Sequence, residues 1–488
     1  MNDYKIKNDL EAFNYMKSLN ERGIHLYLDN ETLKYKAKKE AISKKDLDKI
    51  KTNKEEIMSF LKLKKENSVH LSSLQLAYMA GQSKKQVLNK VNAHYYIEYS
   101  KDYIDLLKLE KSINMIIKQN DALRLILLSA GKGLVLDNIP EYKIQSYRYD
   151  KEIDKLNIRK KLSHKLYLYD TWPMFTIVVG KSELYDDVMH FSFDCSILDA
   201  WSAGKLTETI FKIYSGQEAK KPACTYKEYI NNIRDYKERN LKILQQADDY
   251  WEERTSNISN APELEYKKSF KSLETSTFVR QEYTFDEEEL DALEKYSREN
   301  KVTLTSVVMT VYMIVLSELS SNKDLSINIT IFGKLPLNKD VDDVLGEFTN
   351  VGLVEYKVKH RNFLEAVKYT QYQIFKLIEF RAYEGINILK KAKRVEVNDK
   401  RIFPVVMTCM IGENYKSILY GFKEKYSLSQ SPQVSIDHHV RIINGRMNIS
   451  FDYIEELFSE NYIKELIEIY KKYIINICKK TREISNEG

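Results

Sequence analysis

Strand-like and helix-like stretches alternate along most of this chain, from about Val69 to about Lys480. The strand-like stretches are apolar throughout or alternate polar with apolar residues. In the helix-like stretches, apolar residues recur every three or four positions. The clearest strand-like runs are 93–100, 175–180 and 188–193 in the first half and 325–332, 351–358 and 403–411 in the second. This alternation predicts an α/β protein with two lobes of similar size.

Local signals mark where several of these elements begin or turn. Asp286 followed by Glu289 forms a capping box, and Ser459 is placed to cap the last helix. Asn444-Gly445 between two alternating runs predicts a β-hairpin.

The first 62 residues have the pattern of a small separate module. A helix-like stretch is followed by two runs in which polar and apolar residues alternate, Ile24–Leu28 and Thr32–Lys36, and these predict a β-hairpin. Ser43 then caps another helical stretch, and a lysine-rich link follows. We therefore expect three units, at residues 1–62, 68–245 and 246–482.

Composition excludes several classes of function. The net charge is +6, but lysines and acids alternate, so the basic block of nucleic-acid binders is missing. The four cysteines form no CxxC pair and have no histidine at metal-ligand spacing, which predicts a reducing compartment and no metal site. The N-terminus lacks the pattern of a signal peptide, and the most apolar stretch, 302–319, contains Thr, Ser and Glu. We expect a cytoplasmic protein that binds neither membranes nor nucleic acids.

The sharpest local motif is the stretch from Met189 to Ser202, MHFSFDCSILDAWS. A buried strand should end at Asp194, and a helix should begin a few residues later with Asp199 in its first turn. A carboxylate is stabilised there by the helix dipole, so these acids could simply cap the helix and pair with an arginine. From local sequence alone, this structural interpretation is favoured over catalysis.

Asp194, Asp199 and Ser202 occupy the three fixed positions of DxxxxDxxS, and the stretch resembles this signature of heterocyclization domains in nonribosomal peptide synthetases. Ordinary condensation domains carry HHxxxDG at this place, where this chain has Phe193-Asp194.

Further motifs of the same family follow in the right order along the large region. DALRLIL resembles the stretch around the family's fixed arginine, here Arg124. The other matching stretches are 71–82, 250–254 with 261–264, 345–355, 404–412 and 427–437. The N-terminal module resembles the TubC-type docking domain found at the start of some synthetase subunits.

The resemblance implies a fold and a reaction. The fold would be a pseudo-dimer of two chloramphenicol-acetyltransferase-like lobes around a central tunnel, preceded by the small α/β docking module. The reaction would join an upstream carrier-bound acyl or aminoacyl thioester to carrier-bound Cys, Ser or Thr, and would then cyclodehydrate the product to a thiazoline or oxazoline. The chain itself would bind no cofactor, because the phosphopantetheine arms belong to the upstream and downstream carrier proteins.

The resemblance also implies site residues. Asp437 and Thr408 would be the cyclodehydration pair, with Asp437 moving protons and the Thr408 hydroxyl orienting it by a hydrogen bond. Gln433 could hold the amide oxygen. From local sequence alone, Asp437 could instead be a strand-end acid paired with a cation. We expect Asp199 to be architectural, in a salt bridge with Arg124.

Two histidines and two cysteines lie close to these residues. His438 and His439 are adjacent on a strand, so at most one can face the tunnel, and the sequence favours a structural role for both. Cys195 and Cys409 have no histidine partner in the sequence pattern, so we expect no covalent thiol mechanism.

The chain departs from the family pattern at several positions. Gly333 and Lys334 replace an Asn-Arg pair, Met407 and Cys409 replace Phe and Ser, and Glu347 replaces Asp. The loss of a side-chain amide at Gly333 puts substrate placement in doubt, whereas Thr408 and Asp437 are retained.

The N-terminal module should recognise a partner. Lys34, Lys36 and Lys38 lie on one face of the second hairpin strand, which suits the acidic C-terminal tail of an upstream subunit, although lysines also protect ordinary edge strands. The module could also mediate dimer formation. The alternative functions are a superfamily member that forms the amide without the ring or only recruits partners, a scaffold subunit, and an acyltransferase that uses free coenzyme A.

Overall fold

The computed structural model describes residues 5–38, 41–81, 91–128, 131–274, 276–360, 362–393 and 403–486. Within these ranges the chain forms an N-terminal module and two α/β lobes, each built on a six-stranded sheet. The predicted α/β architecture with two lobes is confirmed.

The N-terminal module packs directly against the first lobe. Its elements are α1 (Asp9–Glu21), β1 (Ile24–Asp29), β2 (Thr32–Ala37), α2 (Lys44–Thr52) and α3 (Lys54–Glu66). Ser43 caps α2 in a full capping box, as the sequence predicts. Asp9 Oδ2 accepts hydrogen bonds from the backbone N–H groups of Asp137 (2.9 Å) and Asn138 (2.7 Å). The buried side chains of the module and of the first lobe form one continuous hydrophobic core.

The first lobe surrounds a sheet with the strand order β14-β15-β4-β9-β8-β7, and a smaller sheet, β3-β6-β5, lies beside it. Strand β9 is buried along its whole length. The elements of this region are β3 (Ser68–His70), α4 (Ser73–Gly81), β4 (His94–Lys101), α5 (Leu106–Gln119), β5 (Leu125–Leu128), β6 (Lys132–Val135), β7 (Gln145–Arg148), α6 (Glu152–Ser163), β8 (Phe175–Lys181), β9 (Asp187–Asp194), α7 (Ala200–Tyr214), α8 (Tyr226–Arg239) and α9 (Leu241–Ser256).

The second lobe surrounds the sheet β10-β17-β16-β13-β11-β12. Asp286 and Glu289 form the predicted capping box of α10, and the N–H of Tyr462 donates to Ser459 Oγ at the start of α14. The elements are β10 (Phe278–Thr284), α10 (Glu287–Glu299), α11 (Leu304–Leu319), β11 (Leu325–Phe332), β12 (Thr349–Tyr356), α12 (Phe363–Glu379), α13 (Gly385–Lys393), β13 (Val405–Tyr415), β14 (Ile418–Leu419), β15 (Phe422–Gln430), β16 (Ile436–Ile443), β17 (Arg446–Ile454) and α14 (Glu460–Asn486).

Strand β15 departs from the expected division of the chain into consecutive lobes. By sequence it belongs to the second lobe, yet it pairs antiparallel with β4 of the first, with Ser427 opposite Ile97 and Gln430 opposite His94. The segment 246–482 therefore does not form the second lobe alone. The chain crosses to the first sheet at β14 and β15 and returns at β16, which ties the lobes together.

The apolar stretch 302–319 forms α11, which is buried in the second lobe. Within the described ranges, no single helix is long and apolar enough to cross a membrane. Helices α10 and α11 reach the length and apolar composition of a membrane span only when taken together, and the pair is bent by 106°.

Candidate active site between the lobes

One face of the second sheet lies between two cavities. Along β13, Val406 lines a cavity of about 480 Å³, whereas Met410, four residues further on the same face, lines another of about 280 Å³. At a rise of roughly 3.3 Å per residue, these two positions are about 13 Å apart. Thr408 lies between them, and on the neighbouring strand β16 Asp437 lies opposite Val406 and His439 opposite Thr408. We call this surface, with Thr330 of β11, the inner face.

Asp437 is buried on the inner face, and its two carboxylate oxygens differ in their hydrogen-bond partners. Oδ2 accepts a hydrogen bond from Ser429 Oγ (3.0 Å) and lies 3.2 Å from His439 Nε2. Oδ1 is buried as well, and it has no hydrogen-bond partner among the described residues. One oxygen is thus held in place while the other is left to accept a proton.

The pKa of Asp437 is shifted downward. Burial raises it, but His439, the Ser429 hydroxyl and the Arg280 guanidinium together outweigh burial and hold the pKa below its ordinary value. Asp437 is therefore an ionised carboxylate, suited to accept a proton and not to supply one at neutral pH.

Thr408 lies on the inner face, but it does not orient Asp437. Its hydroxyl oxygen accepts a hydrogen bond from Thr330 Oγ1 (2.9 Å), and its position on β13 is opposite His439, not Asp437. The predicted hydrogen bond to Asp437 is wrong for the described structure, because that carboxylate is held by Ser429 of β15. Among the described residues the Thr408 hydroxyl only accepts, from Thr330, so its own hydrogen is available to a further acceptor.

The two adjacent histidines point to opposite sides of the second sheet. His438 stacks on Phe451 with 4.2 Å between ring centroids, contacts Tyr312, and has its pKa lowered by burial to about 3. His439 instead lies beside Asp437 and 3.5 Å from Asp452 Oδ2. The structural role expected for His438 agrees with this packing, whereas His439 shares the inner face with the candidate catalytic acid.

On the same side of the sheet, next to Asp437, lies a buried ion pair that sequence reasoning missed. Arg280 of β10 donates two hydrogen bonds of 2.6 Å to Asp452 of β17, and the N–H of Ser429 donates to the same carboxylate (2.7 Å). Arg280 also donates to Ser427 Oγ. The pair therefore holds β15 against the second sheet. An acid in one strand and an arginine some 170 residues earlier give no local sequence signal.

Asp194 is fully buried at the end of β9. It accepts hydrogen bonds from Asn92 Nδ2 (3.0 Å) and from the N–H of Ser196 (2.9 Å). Burial raises its pKa to about 6, because these donors are neutral and compensate only in part.

Asp199 caps α7 and joins the lobes. Its carboxylate accepts from the N–H of Ser202 (2.7 Å) and from the N–H of Phe348 in the second lobe (3.2 Å), while its own N–H donates to Gly346 O (3.0 Å). Ser202 Oγ accepts from the N–H of Gly346 (3.2 Å). The architectural role expected for Asp199 and Ser202 agrees with these contacts.

The expected salt bridge between Asp199 and Arg124 is wrong. Arg124 pairs with Asp121 (3.0 Å) and Asp137 (3.2 Å) beside the N-terminal module. The cation that acts on Asp199 is Lys334, whose own pKa is lowered by burial. Sequence order alone did not indicate that Arg124 has these two acids as its partners.

Only glycine fits at position 333. A Cβ atom there would lie 2.5 Å from the backbone oxygen of Phe348, and the N–H of Gly333 donates to that same oxygen (2.8 Å). The residue thus lets the chain pass close to the segment that contacts Asp199. This close approach leaves no room here for a side chain such as the asparagine of the family pattern.

Glu347 and the thiols have pKa values raised by burial. Glu347 Oε1 accepts from the N–H of Thr349 (2.7 Å), and Asp199 adds to the upward shift. The pKa of Cys409 is raised to about 12, and that of Cys195 is also raised by burial. Both cysteines are therefore thiols at neutral pH, which makes them poor nucleophiles.

Gln433 lines the larger cavity. It lies in the turn between β15 and β16 with a φ of 64°, and Tyr78, Pro432 and Thr330 border the same cavity. This position is compatible with contact to a substrate, but Gln433 is not part of the inner face itself. Among the described residues, no group of three or more His, Cys, Asp and Glu side chains is arranged to hold a metal ion.

In the N-terminal module, Lys34, Lys36 and Lys38 are exposed as predicted. Lys34 forms an ion pair with Asp29 across the hairpin. Strand β2 pairs only with β1 in the described sheet, so its outer edge is open.

Comparison with known proteins identifies the family. The sequence model of the condensation domain matches residues 65–487, and that of the TubC N-terminal docking domain matches residues 14–62. Among solved structures, the EpoB cyclization-docking bidomain from Sorangium cellulosum superposes with a TM-score of 0.77 at 21% identity, covering 96% of this chain and 98% of that one.

Several curated relatives are synthetases. Pyochelin synthetase PchE of Pseudomonas aeruginosa is 24% identical over 427 residues, which are 85% of this chain and 29% of that protein. Phenyloxazoline synthase MbtB of Mycolicibacterium paratuberculosis is 23% identical over 424 residues, 84% of this chain and 36% of that protein. This chain therefore spans only about a third of the length of these relatives. With most of its length matched by one family model, the chain belongs to the condensation-domain family, and a TubC-type docking domain precedes its condensation domain.

Proposed function

We propose that this chain catalyses heterocyclization on a nonribosomal peptide assembly line. It joins an upstream carrier-bound acyl or aminoacyl thioester to carrier-bound Cys, Ser or Thr, and then cyclodehydrates the amide to a thiazoline or oxazoline. The observation that carries the proposal is the Asp437 carboxylate, buried on the inner face, whose strand β13 borders two cavities, with one oxygen that has no partner among the described residues. The names of the relatives support the same reaction, since one is a phenyloxazoline synthase and one structure contains a cyclization domain.

The first step needs little acid–base chemistry. A thioester is already activated, so holding the amine in line with it supplies much of the rate acceleration. The two cavities at opposite ends of the inner face are suited to admit one carrier-bound arm each, and the arms would meet near Thr408.

The second step needs proton transfer, because amide oxygen is a poor leaving group. We assign the proton-accepting role to Asp437, whose Oδ1 is unpartnered among the described residues and whose charge is maintained by its neighbours. Thr408, with its hydrogen free, would donate a hydrogen bond to the substrate's carbonyl oxygen. No cofactor bound to this chain enters the scheme, since both steps are redox neutral.

The docking domain would recruit the upstream subunit. The open edge of β2 and its three exposed lysines suit an acidic peptide that adds as a further strand. A pull-down with the C-terminal tail of the upstream subunit tests this assignment. Lys34→Glu, Lys36→Glu and Lys38→Glu together should abolish capture, whereas Lys64→Glu and Lys65→Glu in α3 should not. Equal capture by both variants would contradict it.

The alternative is a protein of the same family that forms the amide without closing the ring, or one that only recruits partners. The free Asp437 oxygen on the inner face favours ring closure. Intact-mass measurement of the carrier-bound product, with both loaded carriers supplied, separates the three. Ring product has the mass of the linear amide minus one water, amide alone supports the first alternative, and unreacted carriers support the second.

A further inference from the structure

We propose that His439 is a second proton-transfer residue and works together with Asp437 in ring closure. The inference rests on the proposed function and deepens it, because it assigns the second group that the dehydration requires.

Ring closure must deliver two protons to one oxygen. The thiol or hydroxyl of the substrate attacks the amide carbonyl carbon and loses its proton as the new S–C or O–C bond forms. The carbonyl oxygen then leaves as water when the C–O bond breaks and the C=N bond forms with loss of the amide N–H proton. One proton comes from the attacking group and one from the nitrogen, so nothing is oxidised or reduced.

Asp437 alone is poorly arranged for both transfers. Its Oδ2 is engaged by Ser429 and faces His439, which leaves Oδ1 as the single oxygen without a partner in the described structure. The ionised state of Asp437 suits it to take the proton of the attacking group. The other transfer needs a second group within reach.

His439 lies beside Asp437 in a defined orientation. Its Nε2 faces two carboxylate oxygens, 3.2 Å from Asp437 Oδ2 and 3.5 Å from Asp452 Oδ2. Ionised carboxylates only accept hydrogen bonds, so Nε2 carries the hydrogen. Arg280 and the Ser429 N–H fix Asp452 in turn. Nε2 is buried and close to both carboxylates, although it makes no hydrogen bond of good geometry to a residue that the structure describes.

Neither ring nitrogen of His439 makes a hydrogen bond to a residue that the structure describes, and Nε2 is the one that faces the carboxylates. His439 is opposite Thr408 on the next strand and two residues from Arg441, which lines the smaller cavity. In its neutral form the ring can accept the amide proton at Nδ1 and pass it to the departing oxygen, while Asp437 does the same for the proton of the attacking group.

The test separates amide formation from ring closure under single-turnover conditions with both loaded carriers. His439→Gln keeps polarity and approximate size but cannot exchange a proton at neutral pH. We expect it to form the linear amide at nearly the wild-type rate and to close the ring about 10²–10⁴ times more slowly. His439→Ala should show the same defect, and added imidazole should restore ring closure in part, which a purely structural defect would not allow.

The matched control is His438→Gln, the same change one residue away on the opposite face of the sheet. It should leave the ratio of ring to linear product in the folded protein unchanged. Ring closure at the wild-type rate by a folded His439→Gln overturns the inference, as does a joint loss of both steps in His439→Ala that imidazole does not relieve. If the wild-type protein itself makes no ring, the proposed function fails, and the inference fails with it.

Discussion

At the residue scale, two buried carboxylates have pKa values shifted in opposite directions because they have different partners. Asp437 has a histidine, a hydroxyl and a nearby guanidinium, which hold its pKa below the ordinary value despite burial. Asp194 has only neutral donors, so burial prevails and its pKa rises to about 6. Partners, not depth, therefore decide in which direction each pKa is shifted.

The raised pKa of Asp194 should make stability fall as pH rises. Between its ordinary pKa of 3.8 and about 6, the folded state binds the proton more tightly than the unfolded state does. The stabilisation is complete below about pH 4 and is lost as pH rises through about 6, with a total of roughly 3 kcal/mol. Chemical denaturation of wild type and Asp194→Asn from pH 4 to 7 measures the unfolding free energy of each. As pH rises, the wild type should lose roughly 3 kcal/mol relative to the variant, which lacks the titrating group.

The control for this measurement is Asp437→Asn, because the pKa of Asp437 is shifted in the opposite direction. Its stability difference from wild type should stay level above about pH 5, where Asp437 is ionised in both states. A difference for Asp194→Asn that is equally level across the range would contradict the assignment.

At the element scale, two connections hold the lobes in a fixed relation. Strand β15 leaves the second lobe by sequence and completes the first sheet, and its Ser429 donates to both Asp437 and Asp452. At the start of α7, Asp199 and Ser202 contact Gly346 and Phe348 of the other lobe. The inner face is thus positioned by elements of both lobes.

Asp199→Ala should weaken the protein and both chemical steps together. The change removes the cap of α7 and the acceptor for the Phe348 N–H, and we expect a loss of about 2–4 kcal/mol in unfolding free energy. Because the defect lies in the alignment of the lobes, amide formation and ring closure should fall in parallel.

Asp105→Ala is the matched control, since Asp105 caps α5 in the same way and its hydrogen bonds are to Lys108 and Tyr214 of the first lobe. It should cost about 1 kcal/mol and leave both rates unchanged. Accumulation of linear amide by Asp199→Ala would show instead that this residue takes part in ring closure.

At the scale of the whole molecule, the docking domain, the first lobe and the second lobe are packed into one body. The docking domain shares its core with the first lobe and is fixed by Asp9 to the backbone at Asp137 and Asn138. A partner bound at the open edge of β2 would therefore be held in a set position relative to the lobes.

The sequence predicted the local elements well because capping boxes, hairpin turns and periodicity are properties of neighbouring residues. Strand Leu325–Phe332, the caps of α2 and α10, and the turn at Asn444 all agree with the structure. The pairing of β15 with β4 of the first lobe was not predicted, because strand pairing depends on residues hundreds of positions apart. The same holds within the site, where Thr408 was expected to hold Asp437 but Ser429 does so.

The central claim is that the inner face closes the ring as a step separable from amide formation. Asp437→Asn tests it most directly, because asparagine keeps the size and hydrogen bonding of the side chain but cannot take a proton. With both loaded carriers, the intact mass of the carrier-bound product is measured beside the thermal unfolding of each protein. The account requires wild type to give the ring and a folded Asp437→Asn to stop at the linear amide, heavier by one water. Normal ring formation by a folded Asp437→Asn would contradict it.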